Sequence, residues 1–253
     1  IGFFSGSQGL VADGIVIVSD EDATGLREEI PDLESVFYIP NIVSGSVRPD
    51  IKRDLVLIFV GYFKHAPNKD GILWFVEHCW PRIQERVPGV ILNVVGGYAD
   101  NAIKDLSKLE GIRVLGYVPE MQPYLDEAAV SIAPLRFGAG MKVKVTEALM
   151  GAMPVVSTTV GAQGFNAVSG EHMVIADEPL DFAKGVVELL QHPERAEAMG
   201  RSGRALCEKI CSPEAVGVRL NDMVKTCCLP STRKMISLRL FIMKCYFYGY
   251  KAV

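Results

Sequence analysis

Short continuous apolar runs alternate along the chain with longer stretches whose apolar residues recur every three or four positions. The runs predict strands over residues 14–19, 35–39, 54–60, 90–95, 112–115, 129–133, 154–157 and 173–175. Several are aliphatic from end to end, the pattern of strands covered on both faces. The periodic stretches predict helices. Residues 68–86 place Ile72, Phe75, Val76, Cys79, Trp80 and Ile83 on one stripe. Further helices are expected over 101–108, 121–127, 143–150, 180–191 and 193–209. Pro193 stands where a helix can begin, since its missing N–H is no loss in a first turn.

Strand followed by helix, repeated, predicts an α/β fold: a doubly wound, Rossmann-like parallel sheet with right-handed crossovers. Residues 52–212 carry that pattern. Residues 1–51 hold two strand signals and a turn at Pro40-Asn41, and read as the end of another, truncated domain running into a linker. Residues 213–253 read as a tail. Its stretch 238–250 is apolar and aromatic, but Lys244 interrupts it and it is too short to span a bilayer. A docked end, an irregular end and an interfacial membrane segment stay open for it. Ligands of doubly wound sheets lie beyond the carboxyl ends of the strands. The loops that matter are therefore 61–69, 96–101, 116–122, 134–142 and 158–165.

Composition narrows the function classes. At 253 residues, 49% hydrophobic and 22% charged, the chain is an ordinary globular one. Its net charge of -4, with no Lys/Arg cluster, argues against a nucleic-acid partner. The six cysteines form no CxxC pair and no zinc spacing with histidine. They are expected as free thiols in a reducing compartment, so the protein is expected to be cytoplasmic, with at most peripheral membrane association.

The densest chemistry lies in 134–158, PLRFGAGMKVKVTEALMGAMPVVST. Gly138, Ala139 and Gly140 follow a strand and open a helix, so backbone N–H groups can approach an anion closely. The helix start adds partial positive charge suited to phosphate. Met141 lies in the same turn, and Lys142 and Lys144 add charge. Glu147, one to two turns into the helix, can accept two hydrogen bonds from a diol such as a ribose. Taken singly, the glycines are a turn, Lys142 a solvated cap and Glu147 a surface charge. The ordered spacing points to nucleotide binding.

That order resembles the C-terminal domain of family 4 glycosyltransferases, the group 1 enzymes of GT-B fold. Their Gly-containing loop, K-x-x-E-A and G-x-P-V-V-[ST] stand here as Lys144, Glu147, Ala148, Gly151, Pro154, Val155, Val156 and Ser157. FVGYFKHAPNKDGILWFVEHCWPRI, ILNVVGG, RVLGYVPEMQPYLDEAAVSIAPL and VGAQG resemble other parts of the same domain. The resemblance covers roughly residues 10–212. It implies two Rossmann-like domains facing across a cleft, with the donor, a nucleotide-diphosphate sugar, held by the C-terminal one. The acceptor would be a glycan, lipid or small molecule. Configuration would be retained, with no metal and no further cofactor. Position by position, it implies that Glu147 binds the ribose and that Gly140 and Met141 offer N–H groups to diphosphate or sugar. Gly61 lets the backbone approach the diphosphate, and Tyr117 and Val118 flank the base. Lys142 and Lys144 are phosphate or structural charges, and no catalytic residue is assigned.

Two positions depart from the family. Ala139 stands where many members carry a second Glu. Tyr62 follows Gly61 where many carry Arg, with a Lys some residues on; Lys64, His65, Asn68 and Lys69 are the candidate substitutes. A subgroup shares both departures. The alternative reading is a non-catalytic nucleotide-binding or interaction module. A nicotinamide-dependent oxidoreductase is disfavoured, because no G-x-G-x-x-G follows the first strand of the 52–212 domain. His78, Trp74 and Trp80 read as structural.

Overall fold

A computed structural model describes residues 15–30, 35–43, 45, 47–49 and 54–228. Six strands make one parallel sheet: β3 (Val56–Val60), β4 (Ile91–Val95), β5 (Ile112–Gly116), β6 (Val130–Ala133), β7 (Val155–Ser157) and β8 (Val174–Ile175). Their spatial order is β5-β4-β3-β6-β7-β8. The chain thus builds outward from β3 one way and then from β6 the other. The reversal between β3 and β6 leaves a crevice at their carboxyl ends.

Alternation along the strands feeds two cores. Leu57, Phe59, Leu92, Val94 and Val130 face α2 (Ala66–His78), α3 (Trp80–Arg86) and α7 (Pro179–Gln191). Val56, Ile58, Val95 and Val155 face α5 (Gln122–Glu127), α6 (Val143–Met150) and α8 (Pro193–Cys211). The single helix expected over 68–86 is broken at Cys79 into α2 and α3. The cause is Pro81, whose ring has no N–H to give and clashes with the preceding turn. Trp74 and Trp80 are buried, Trp74 edge-on to Phe182 with ring centroids 5.9 Å apart. The stretch 101–108 divides into α4 (Asn101–Lys104), capped by the Asp100 carboxylate, and a 3-10 turn (Asp105–Lys108).

Ahead of this domain, β1 (Ile15–Ile17), α1 (Asp20–Glu29) and β2 (Val36–Tyr38) form a βαβ unit of two parallel strands. The last described element, α9 (Pro213–Cys228), returns to that unit: Val216 and Met223 pack with Ile39, Val16 and Phe37. Residues 213–228 of the expected tail are therefore helix. Its start is prepared by Ser212, whose hydroxyl accepts from the Ala215 N–H at 3.2 Å, and by Pro213. The apolar stretch 238–250 lies outside the described residues. Among them, no helix is long and apolar enough to cross a membrane.

The linker between the two units is pinned to the larger one. Val43 N–H donates to the Cys211 carbonyl and Arg48 N–H to that of Gly151. The buried Arg48 side chain also donates to the carbonyls of Leu125, Ala128 and Gly151 at 3.1, 2.5 and 3.3 Å.

Candidate functional site at the sheet reversal

Two loops meet over the crevice. The first, 61–69, leaves β3 and is tied down by its own neighbours. Gly61 N–H donates to Val95 O at 2.9 Å and Phe63 N–H to Gly97 O at 3.1 Å. At Gly96, φ is +147° and an added Cβ would fall 1.7 Å from the Gly61 carbonyl oxygen. Only glycine lets the β3 and β4 loops lie this close. Lys64 lies over the exposed Tyr98 ring, its ammonium 4.1 Å from the centroid. Lys69 pairs with Asp100, and Asp70 with Arg136.

The second loop leaves β6. Gly138 and Gly140 take φ of +122° and +74°, and Gly140 is buried. Backbone N–H groups of Gly138, Ala139, Gly140, Met141, Val143 and Lys144 donate to no acceptor among the described residues. Regular bonding resumes only where Val145 and Thr146 N–H donate to the Lys142 carbonyl. No side chain caps α6. A set of amides without acceptors, partly buried and ending in a helix start, has the chemistry to receive an anion. The Met141 side chain points inward, its sulfur 3.6 Å from that of Cys211. The loop also meets the N-terminal unit: Val18 Cγ2 and Asp22 Oδ2 lie 3.5 and 3.9 Å from where a Gly140 side chain would begin.

Cations gather beside it. Lys142 Nζ reaches the Gly140 carbonyl and, at 3.3 Å, Gln163 Oε1. Lys144 Nζ donates to Asn68 Oδ1 at 2.6 Å and sits 4.3 Å from the Phe59 ring centroid. Burial, then Lys142, brings the Lys144 ammonium down to about 7. Burial, then Lys144 and Lys142, lowers His65 from its ordinary value. Each shift records first the loss of solvent around the charged form and second the neighbouring positive groups.

One to two turns into α6, Glu147 is half-buried, and its carboxylate has no partner among the described residues. Burial raises its pKa. It borders a cavity of about 310 Å³ together with Arg48, Pro119, Leu125, Met150 and Met153. The expected base-flanking residues divide: Val118 is buried, whereas Tyr117 is 66% exposed at the rim. Ala139 is exposed and holds no polar group.

The structure thus gathers Gly138, Ala139, Gly140, Met141, Lys142 and Lys144 at the turn into α6, sets Asn68 and Gly61 across from them through the Lys144–Asn68 bond, and places Glu147 one turn further on, at the edge of the neighbouring cavity. Lys64 lies over the Tyr98 ring. Sequence reasoning missed Arg48, Phe59 and Gln163. Gln163 lies in the quoted VGAQG segment, a usable signal, whereas Arg48 and Phe59 stand in no motif. Among the described residues no group of three or more His, Cys, Asp or Glu is placed to hold a metal ion.

A sequence profile of the family described as Glycosyl transferases group 1 matches residues 54–192. A Klebsiella pneumoniae protein described as an uncharacterized 44.6 kDa protein in the cps region is 28% identical over 139 residues, which are 52% of this chain and 36% of that protein. A trehalose synthase from Pyrococcus horikoshii is 26% identical over 158 residues, 55% of this chain and 37% of that enzyme. The chain thus matches little more than a third of the length of these relatives. Among solved structures, TarM superposes with a TM-score of 0.72 at 15% identity, covering 83% of this chain and 43% of TarM. Anabaena Alr3699/HepE, in complex with UDP and glucose, gives 0.69 at 12%, covering 85% and 64%. Those structures carry the same doubly wound fold. With the profile spanning more than half of its residues, this chain belongs to the group 1 glycosyltransferases.

Proposed function

We propose that this chain supplies the donor-binding domain of a retaining, metal-independent hexosyltransferase that uses a nucleotide-diphosphate sugar. The observation that carries the reading is the set of amides at Gly138, Ala139, Gly140, Met141, Val143 and Lys144, without acceptors among the described residues, one turn ahead of the Glu147 carboxylate, which has no partner there either. The diphosphate lies on those amides and the α6 start. The ribose diol donates to Glu147, and the base enters the cavity that Glu147 borders, lined by Pro119, Met121, Leu125 and Met153. Lysine, N–H groups and the helix dipole meet the diphosphate charge that a metal would otherwise meet.

In the reaction, an acceptor hydroxyl forms a bond to the anomeric carbon on the face from which the diphosphate departs. The bond from that carbon to the phosphate oxygen breaks, and the hydroxyl proton passes to the leaving phosphate. Amides preorganised around the diphosphate stabilise the charge as it grows. The sugar faces Ala139, so the loop backbone takes the contact that a Glu supplies in other members.

UDP is the first nucleotide to test. A structure of S. aureus TarM is a complex that includes UDP, and one of pneumococcal GtfA is a complex with UDP and GlcNAc. Isothermal titration with UDP, GDP and ADP and their sugar conjugates should show one nucleotide binding at micromolar strength, about -8 kcal/mol. Glu147→Ala should weaken it. No heat with any of them, on folded protein, overturns the donor-site reading.

A further inference from the structure

The first loop lacks the Arg that many members carry after its glycine, and burial with Lys144 and Lys142 pushes its His65 toward the neutral form. Lys64 lies over Tyr98 and Lys69 pairs with Asp100. Among the described residues, an ammonium is delivered to this wall from the other side, by Lys144 of α6. Asn68 is 7% exposed and both ends of its amide are engaged: the nitrogen donates to the Tyr62 carbonyl at 2.9 Å, and the oxygen accepts from Lys144. Buried and engaged in this way, it is placed to brace the lysine. Beneath the same ammonium lies the Phe59 ring.

We propose that Asn68 is a positioning residue, which with Phe59 aims the Lys144 ammonium at the diphosphate and so supplies from α6 the cation missing from the first loop. The inference rests on the donor-site reading above and deepens it. Asparagine suits the task because it orients an ammonium through one acceptor without neutralising it, whereas Asp at this place would pair with the lysine and cancel the charge. The groups facing Lys144 are Asn68 on α2, Phe59 on β3, His65 in the first loop and Lys142 on its own element. No carboxylate among the described residues forms an ion pair with Lys144 or His65; the nearest acids on α2 and after β4 already pair with Arg136 and Lys69. A diphosphate would be the first anion there, and its arrival would hold the lysine protonated.

The test compares the nucleoside diphosphate that the wild type binds with the matching nucleoside, which lacks phosphate. Lys144→Met should weaken the diphosphate about 10- to 100-fold and leave the nucleoside unchanged, which also shows that the variant is folded. Asn68→Ala should weaken the diphosphate several-fold with the same nucleoside control. Wild-type diphosphate affinity should fall as pH rises above about 7. That slope should vanish in Lys144→Met. In Asn68→Asp it should move to higher pH while affinity drops. Diphosphate binding by Lys144→Met within twofold of wild type, or an unchanged pH profile in both Asn68 variants, overturns the proposal and leaves the donor site standing. A wild type that binds neither ligand overturns the donor site itself.

Discussion

The two loops that flank the sheet reversal use their hydrogen-bonding groups in opposite ways. The loop after β3 directs them at its neighbours: Gly61 at Val95, Phe63 at Gly97, Asn68 at Tyr62 and Lys144. The loop after β6 leaves six amides between Gly138 and Lys144 without acceptors, and leaves the Glu147 carboxylate of the following helix without a donor, among the described residues. Glycine serves the first loop by close packing, as at Gly96 against Gly61, and serves the second by left-handed turns that aim N–H groups outward. Glycine content alone therefore does not mark a ligand loop. What marks it is the hydrogen-bonding capacity the fold leaves unfilled. On the proposed function, the first loop is a wall and the second the receptor.

Substitutions should separate wall from receptor. The largest effect is expected at the wall. Gly96→Ala drives a Cβ to 1.7 Å from the Gly61 oxygen at a φ of +147°, and should cost about 3 kcal/mol in urea unfolding. Next comes Glu147→Ala, which should cost about 1.5–3 kcal/mol of nucleotide binding with no loss of stability, since it removes a buried acid without a partner. Stability should then show the Lys144 shift. Its ammonium is lowered from 10.5 to about 7, so between those values the unfolded chain holds the proton and the folded chain does not. Unfolding free energy should therefore rise with pH across that window, and Lys144→Met should flatten the slope. Smallest is Lys64→Ala. It should lose only the contact over Tyr98, about 0.5–1 kcal/mol of stability, and change nucleotide affinity less than twofold.

Much of the fold was legible because strand and helix periods differ and each run is bounded by polar turns. The eight strand signals fall on the eight strands of the described residues, and the helix at Val143–Met150 stands where its stripe placed it. The break at Cys79 was legible too, in Pro81, but the stripe of apolar residues on either side masked it. Helix α9 was not read, since its sparse stripe packs on β2 of the other unit, a partner that local periodicity does not announce. In the site, Glu147 and Lys144 were legible because spacing on one helix fixes their direction. The task of Asn68 was not. An amide can face a ligand or brace a neighbour, and only the approach of α6 to α2 decides between them. Arg48 was likewise silent, because its acceptors, the carbonyls of Leu125, Ala128 and Gly151, carry no sequence signature.

The most direct test of the receptor role follows backbone amides in a ¹⁵N spectrum as the bound nucleoside diphosphate is added, with the nucleoside alone as reference. A receptor in the second loop predicts large shifts at Gly138, Gly140, Met141 and Val143 that appear with the diphosphate and not with the nucleoside, while Gly61 and Phe63 keep their positions. Diphosphate-dependent shifts at Gly61 and Phe63, with the amides from Gly138 to Val143 unmoved, would contradict it and make the wall the receptor.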